Sequence, residues 1–416
     1  MPAAPPVSFL VSRFPNPSET FIQAQAEGLM ERGSQVDIWA LAPGDASVLS
    51  GLKARWGTQL NVHYVRLPKT LAGRLSVAPG ALAAPGALKA LNTARFGEDA
   101  SSLRLLIASS RWPRRAPERR VWLAHYGRWG RFACALRDLG LIKGPIATVF
   151  HGKDMSAYLK KQPTAYRTLF KQGELFLPIS DHWRQKLVSL GAPPERTVVH
   201  RMGVDTARFK ETPRTLQPGE QVRFIGVGRM VEKKGFDDAI AAFAKIHADA
   251  NATLTLIGDG ELKAQLQAQA AALGIGNLVR FTGLLLHHEV ETALRQAHIF
   301  VLPSKTAASG DMEGIPVALM EAMAQGMPVL ATRHSGTPEL VEHNVSGLIC
   351  DEGDRTTLAA NMAALAAAPQ RWPAMGAAGA ARVRAEFDLK TWNDRLFERL
   401  AGLAVTSAAP RANTAA

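Results

Sequence analysis

The stretch HIFVLPSKTAASGDMEGIPVALMEAMAQGMPVLATRHSGTPEL, residues 298–340, decides the fold class. HIFVLPS has the length and apolar character of a buried strand, a polar Gly-containing loop follows it, and PVLAT reads as the next strand. Between them Pro316 suits a first helical position, because its missing N–H would be unpaired there in any case, so a helix is expected from about Ile315. Strand, helix and strand in this order make a parallel crossover, the unit of doubly wound α/β sheets. The helix start leaves backbone N–H groups, such as those of Val317 and Ala318, free at a positive dipole end, which suits a diphosphate. Glu313 lies just before the helix and Glu321 about two turns inside it, eight residues on, so the two reach opposite ends of one extended ligand. Ala, Met and Leu flank Glu321, which makes the helix a buried one where an unpaired carboxylate is costly. Carboxylates accept hydrogen bonds from hydroxyls, so sugars are fitting partners. The plainer alternatives are a loop charge for Glu313 and a solvated helix face for Glu321.

Upstream, the same rhythm starts at about residue 221 with QVRFIGVG and continues through a helix from Phe236, TLTLIGDG, a helix from Glu261, LVRFTG and a helix near 288–296; SGLIC comes after PVLAT. The segment GVGRMVEKKGF, residues 226–236, sets Gly228, Arg229 and Lys234 at a strand's carboxyl end, where anionic ligands bind in such sheets. Gly258 of the GDG segment permits close backbone approach, although Gly-Asp-Gly is also an ordinary turn. An earlier series opens with VSFLVS at 7–12, a helix after Ser18 and QVDIWAL, with further strands near 61–65, 121–124, 146–150, 175–179 and 197–200. His125 of HYG, with His151 and Asp154 of FHGKD, falls at strand ends of this series, as do Arg13, Ser18 and Glu19 around the first loop. A lone histidine there is commonly structural; two close together favour a site.

Two βα series predict two Rossmann-like domains, residues 1–208 and 215–387, joined through a polar, proline-containing segment at 203–220. Two more helices, 371–386 and about 388–403, follow the last strand, and the first six residues and 404–416 read as disordered ends. The chain has 416 residues, 47% apolar and 20% charged, which excludes a disulfide miniprotein and a disordered chain. Cys134 and Cys350 are the only cysteines, so neither a disulfide framework nor a cysteine zinc site is expected, and the setting reads as cytoplasmic. No stretch approaches the ~18 consecutive apolar residues of a membrane span. A balance of 49 Lys and Arg against 36 Asp and Glu gives +13, which fits nucleic acid, an anionic membrane face or an anionic substrate. Residues 104–131 hold eight arginines (104, 111, 114, 115, 119, 120, 128 and 131) against Glu118, interleaved with Trp112, Trp122 and Trp129. That pattern predicts peripheral contact with an anionic membrane surface.

SETFI near the start and GDMEGIPVALMEAMA together make the chain resemble the retaining GT-B glycosyltransferases of family four, and among them bacterial exopolysaccharide enzymes of the colanic acid and amylovoran type. The likeness runs over about residues 7–400. It implies a GT-B fold, two Rossmann-like domains facing across a cleft, with the last helix packing back on the first domain. It implies a UDP-sugar or GDP-sugar donor, an acceptor hydroxyl on a lipid-linked or glycan intermediate, retention of configuration, no metal and no nucleic acid partner. Residue by residue, it assigns the diphosphate to Arg229 and Lys234, the ribose to Glu321, and the donor sugar and phosphates to Glu313 and Gly314, Ile315, Pro316 and Val317. The base goes near Gly258 and Leu284, with Gly228 at the same edge, and His125 and His151 face the transferred sugar. In place of the Gly-Gly loop of many members stands SRFPNPSET, so Arg13, Ser18 or Glu19, with Asp154, are assigned to the acceptor side. Rival readings are a sugar-nucleotide epimerase or a phosphorylase on the same fold, and a basic nucleic-acid-binding protein.

Overall fold

The computed structural model describes residues 3–16, 19–84, 86–113 and 118–406. Twelve parallel strands form two sheets. The first sheet contains β1 (Val7–Phe14), β2 (Val36–Pro43), β3 (Leu60–Tyr64), β4 (Val121–His125), β5 (Ile146–Phe150) and β6 (Leu175–Pro178), in the order β3-β2-β1-β4-β5-β6. The second contains β7 (Val222–Val227), β8 (Ala252–Ile257), β9 (Val279–Gly283), β10 (Ile299–Leu302), β11 (Val329–Thr332) and β12 (Gly347–Cys350), in the order β12-β11-β10-β7-β8-β9. Each order reverses once, between β1 and β4 and between β7 and β10, and the crevice outside the carboxyl ends at such a reversal is where ligands bind. Helices cover both faces of each sheet, so β4, β5, β6, β10, β11 and β12 are buried along their whole length and read as continuous apolar runs. Each large side chain removed from water there contributes roughly 1.5–3 kcal/mol.

Several expectations change. No strand forms at 197–200; Val198 and His200 donate to the carbonyls of Phe176 and Pro178, an irregular edge beside β6. Pro316 is not the first helical residue but the N-cap, with ψ 123°, and the helix runs Val317–Ala324. The segment 203–220 is anchored: Arg214 is buried and donates to the carbonyls of Thr212 and Leu294. Near the start, Pro5 is buried and the Pro6 carbonyl accepts from the Val121 amide, so this end is ordered from residue 3. The last helix spans Leu389–Thr406, past the predicted start of the tail at 404; residues 407–416 lie outside the described residues. This helix lies on the first domain, with Asn393 donating to the Ala24 carbonyl at 3.2 Å and Asp394 paired with Arg32 at 2.5 Å.

The Arg/Trp stretch departs furthest. Trp112, Trp122 and Trp129 are buried, the first two packed with Trp39. Arg104 and Arg128 hold Glu98, Arg131 holds Asp99, and Arg120 reaches Asp37 and the Val7 and Gln35 carbonyls. These four arginines sit in partly buried ion pairs, their stems packing beneath a charged tip, while Arg111 and Arg119 are exposed. Arg114 and Arg115 lie outside the described residues. Between β3 and β4 stands a helical insertion, Leu71–Leu82, Ala87–Ala90, Thr93–Phe96, Glu98–Ser101 and Arg104–Arg111, whose outer face exposes Leu71, Leu75, Leu82 and Leu88.

Candidate active site

In the second lobe β7 ends at Val227, and the chain turns through Gly228 and Arg229 into the short turn Glu232–Lys234. The Lys234 stem lies over Gly228, where a Cβ would sit 3.2 Å from its Cδ and Cε. The Lys234 ammonium reaches Glu313 Oε2 at 3.3 Å, and Lys233 Nζ lies 3.5 Å from Oε1 and 3.2 Å from Asp311. Burial alone would raise the Glu313 pKa; the paired lysines override it and hold the carboxyl down at about 2. Lys233 was not singled out in the sequence, where the adjacent lysines of a KKG turn look alike. Arg229 is exposed at the end of β7 and forms no salt bridge among the described residues.

The Glu313 amide donates to His334 Nε2 at 2.9 Å. An amide can only donate, so Nε2 is unprotonated and the ring proton sits on Nδ1, facing Glu352 at 2.5 Å. Glu352 also accepts from the Thr306 amide at 2.7 Å, so both ends of the 305–313 loop are tied to it. Beyond Glu313, the N–H groups of Gly314, Ile315, Val317 and Ala318 have no acceptor among the described residues. They cluster at a helix N-terminus, which is an anion site by its partial charge.

One turn into the helix, Glu321 is buried; its carboxylate takes no hydrogen bond among the described residues and approaches His287 only to 3.9 Å. Burial pushes its carboxyl up to about 7, with Arg208 opposing and Glu291 adding. Gly258 has φ +136°, and a Cβ there would lie 2.0 Å from the Gly228 carbonyl, so the two loop ends touch backbone to backbone as only glycine permits. Leu284, after β9, is 78% exposed.

In the first lobe His125 and His151 end β4 and follow β5, 3.3 Å apart through Nδ1 and Nε2. His125 is enclosed, stacked against Phe9, with its Nε2 unpartnered among the described residues. His151 keeps 7% exposure beside Phe21 and Tyr126, which makes it the member of the pair at the cleft. Burial lowers both pKa values, His151 to about 3, so both rings are neutral at neutral pH. Asp154 does not face the cleft: it is buried, and its two oxygens accept the His151 and Gly127 amides at 2.9 and 2.8 Å, locking both loops. Tyr126 has φ +74°, unusual for a bulky residue, and its hydroxyl donates to Glu19 at 2.7 Å. Burial and Glu19 raise the Tyr126 pKa, and Arg229 of the other lobe opposes them, so these groups share the cleft. Arg13 is half-buried on β1 and forms no salt bridge among the described residues; Ser18 lies outside them.

The lobes meet beside this cleft. Ser156 Oγ accepts the Met312 amide at 3.1 Å, a Cβ on Gly152 would sit 2.4 Å from the Met312 carbonyl, and one on Gly314 would sit 2.1 Å from Ile179. Glu339 accepts the amides of Asp181 and His182 at 3.0 and 2.9 Å and pairs with Arg201.

Comparison with known proteins gives this geometry a context. Residues 208–381 match the family model described as glycosyl transferases group 1. The amylovoran biosynthesis glycosyltransferase AmsK of Erwinia amylovora is 38% identical over 412 residues, 96% of this chain and 100% of that protein. The chain belongs to the group 1 glycosyltransferases. The putative colanic acid biosynthesis glycosyltransferase WcaL of Escherichia coli is 38% identical over 86% of this glycosyltransferase and 90% of its own length. Among solved structures, Anabaena HepE in complex with UDP superposes with a TM-score of 0.70 at 20% identity, over 95% of this chain and 100% of that one. Sucrose-phosphate synthase of Thermosynechococcus elongatus gives 0.71 at 16% identity, over 97% and 100%. These two establish the GT-B fold of the glycosyltransferase, two Rossmann-like lobes facing across a cleft.

Proposed function

We propose that this glycosyltransferase moves a hexose from a UDP- or GDP-sugar to a hydroxyl of a lipid-linked or glycan intermediate of exopolysaccharide synthesis, with retention and without a metal. The reading is supported by Lys234, just past β7, which reaches Glu313 at 3.3 Å beside the amides of Gly314, Ile315, Val317 and Ala318, and by Arg229. Among the described residues these amides lack an acceptor and Arg229 a salt bridge, and neutral His151 stands in the facing lobe. The acceptor oxygen bonds to the anomeric carbon as the bond from that carbon to the diphosphate breaks, and the acceptor proton leaves on a phosphate oxygen. Negative charge grows on the diphosphate, and donors fixed in advance stabilise it without reorganising. Lys234, held against ionised Glu313, adds charge while keeping that carboxylate where a sugar hydroxyl can donate to it. Glu321 accepts the ribose hydroxyls, Gly258 and Leu284 border the base, and His151 hydrogen-bonds the transferred sugar as a neutral ring. His125 fixes the His151 ring, and Arg13, Ser18 and Glu19 serve the acceptor.

The naming of the relatives as amylovoran and colanic acid enzymes and the complex of HepE with UDP support this choice of donor and product class. Release of UDP or GDP across a panel of nucleotide sugars, raised by a membrane extract as acceptor, is expected. Turnover that needs no alcohol acceptor, or that needs inorganic phosphate, overturns it in favour of an epimerase or a phosphorylase. Salt-sensitive DNA retention with no stabilisation by nucleoside diphosphates favours nucleic acid binding.

The cytoplasmic face of a membrane is the proposed workplace, engaged by the helical insertion instead of the buried tryptophans. The exposed cations Arg66, Lys69 and Lys89 flank the four exposed leucines at 71, 75, 82 and 88 along the chain. Flotation with phosphatidylglycerol vesicles is expected, and its persistence when all four leucines become Ser would sink the assignment of that face.

A further inference from the structure

Away from the cleft, the flank of the first lobe holds a cavity of about 710 Å3. Its floor is the helix Gly127–Asp138, one wall comes from residues 161–172, and the short helices Thr93–Phe96 and Glu98–Ser101 form the roof. That volume lies within the roughly 300–1,000 Å3 of small-ligand sites.

Its charges cancel. Asp138 is held by Arg95 at 2.9 Å, Asp99 by Arg131 at 3.0 Å, and Glu98 by Arg104 at 2.8 Å. A phosphate or nucleotide would meet a carboxylate beside each guanidinium, so an anion gains little here. A neutral polyol fares differently, because each hydroxyl both donates and accepts and therefore fits a carboxylate-guanidinium pair. Just beneath the lining, Asp99 Oδ1 and Gln172 Oε1 are buried acceptors, and Arg131 Nη2, 3.5 Å from Glu98, is a buried donor, all without a hydrogen bond among the described residues. Such unmet groups carry a cost until something hydrogen-bonds them. Phe96 and Pro163 add an apolar strip for the C–H face of a ring.

The cavity is linked to the cleft through one side chain. Glu98 holds Arg128 at 3.3 Å, and Arg128 stands in the first turn of the helix that begins beside Tyr126. Arg131, on the cavity floor, is three residues further, ~4.5 Å along the axis.

We propose that this cavity is a neutral-saccharide subsite that holds sugar residues of the acceptor distal to the one that reacts. The inference rests on the transferase reading, in which the acceptor carries a glycan. Saturation-transfer NMR on the full chain with lactose, cellobiose and maltose as probes is expected to show ring-proton signals. Thr168→Trp fills the cavity from an exposed wall position whose side chain makes no hydrogen bond among the described residues, and it should abolish those signals. Asp99→Asn keeps the shape, removes the charge, and should weaken them severalfold. Thermal stabilisation by UDP, measured on the same samples, reports the second lobe. Failure of UDP to stabilise counts against the transferase reading while leaving the saccharide result standing. No saccharide signal, signals that survive Thr168→Trp, or binding of glucuronic acid to the exclusion of neutral sugars overturns the subsite.

Discussion

Arg229 lies two residues past β7 and has no carboxylate to neutralise it among the described residues, whereas Lys233 and Lys234 are both engaged by Glu313. The three cations are therefore not interchangeable. Arg229→Met should leave the melting temperature nearly unchanged and weaken UDP binding by about 10- to 100-fold, as a lost charge-assisted hydrogen bond does, with a smaller salt dependence. Isothermal titration at two salt concentrations measures both. Glu321 makes a sharper prediction. Its carboxyl titrates near 7, above its usual 4.5, so below that pH it is protonated and cannot accept both ribose hydroxyls. UDP affinity should rise about tenfold from pH 6 to 8 through this group, following the deprotonated fraction. The phosphate of UDP titrates in the same range, so the control is Glu321→Gln, in which that Glu-dependent part disappears. If the wild type and Glu321→Gln follow one curve, Glu321 is not the ribose acceptor.

At the scale of elements, Gly152 begins a short helix against the Met312 carbonyl, an oxygen of the main chain that cannot swing aside. Gly152→Ala should push the Glu313 loop back. A displacement of about 1 Å at the reacting centre costs on the order of 100-fold in turnover, while UDP, held mainly by the second lobe, should bind within about threefold of wild type. Turnover assays paired with titration separate the two. The same region shows what a sequence reveals of a site. Buried parallel strands print as apolar runs, and the helix after Pro316 announces itself by proline, small residues and two spaced glutamates. Both sheets and the Glu313 to Glu321 segment were legible for that reason. Lys233, His334, Glu339 and Glu352 were not, because what matters in them is a partner between 18 and 158 residues away. The helical insertion stayed hidden because its helices are short and expose leucines. In the Arg/Trp stretch, composition cannot tell an arginine facing water from one holding Glu98, nor an exposed tryptophan from the buried ones found there. His125 and His151 looked equivalent, each at a strand end, until enclosure separated them.

For the whole molecule, Glu339 is the clearest fastener. It stands on the short helix Thr337–Leu340 of the second lobe and receives two amides at the start of the first-lobe helix Asp181–Ser189, while Arg382 holds its own carbonyl at 2.7 Å. Glu339→Ala should release the lobes, seen as a larger radius of gyration in solution scattering, with a stability loss of about 1–3 kcal/mol from the stranded amides. Saturating UDP-sugar should recover part of the compaction; an unchanged radius would show that other contacts hold the lobes. The chain passes between the lobes at two places, near Val204 and near Asp388. There the Val204 amide donates to Phe387 and the Leu389 amide to the Val204 carbonyl, at 2.9 and 3.0 Å. Two strands of backbone laced side by side act as the paired knuckles of a door: they allow swing about one axis and resist shear and twist. Both ends of the described chain then ride on the same panel, so a label on either would report the swing of the other panel only from a distance, and cutting one knuckle would loosen the door without dropping it.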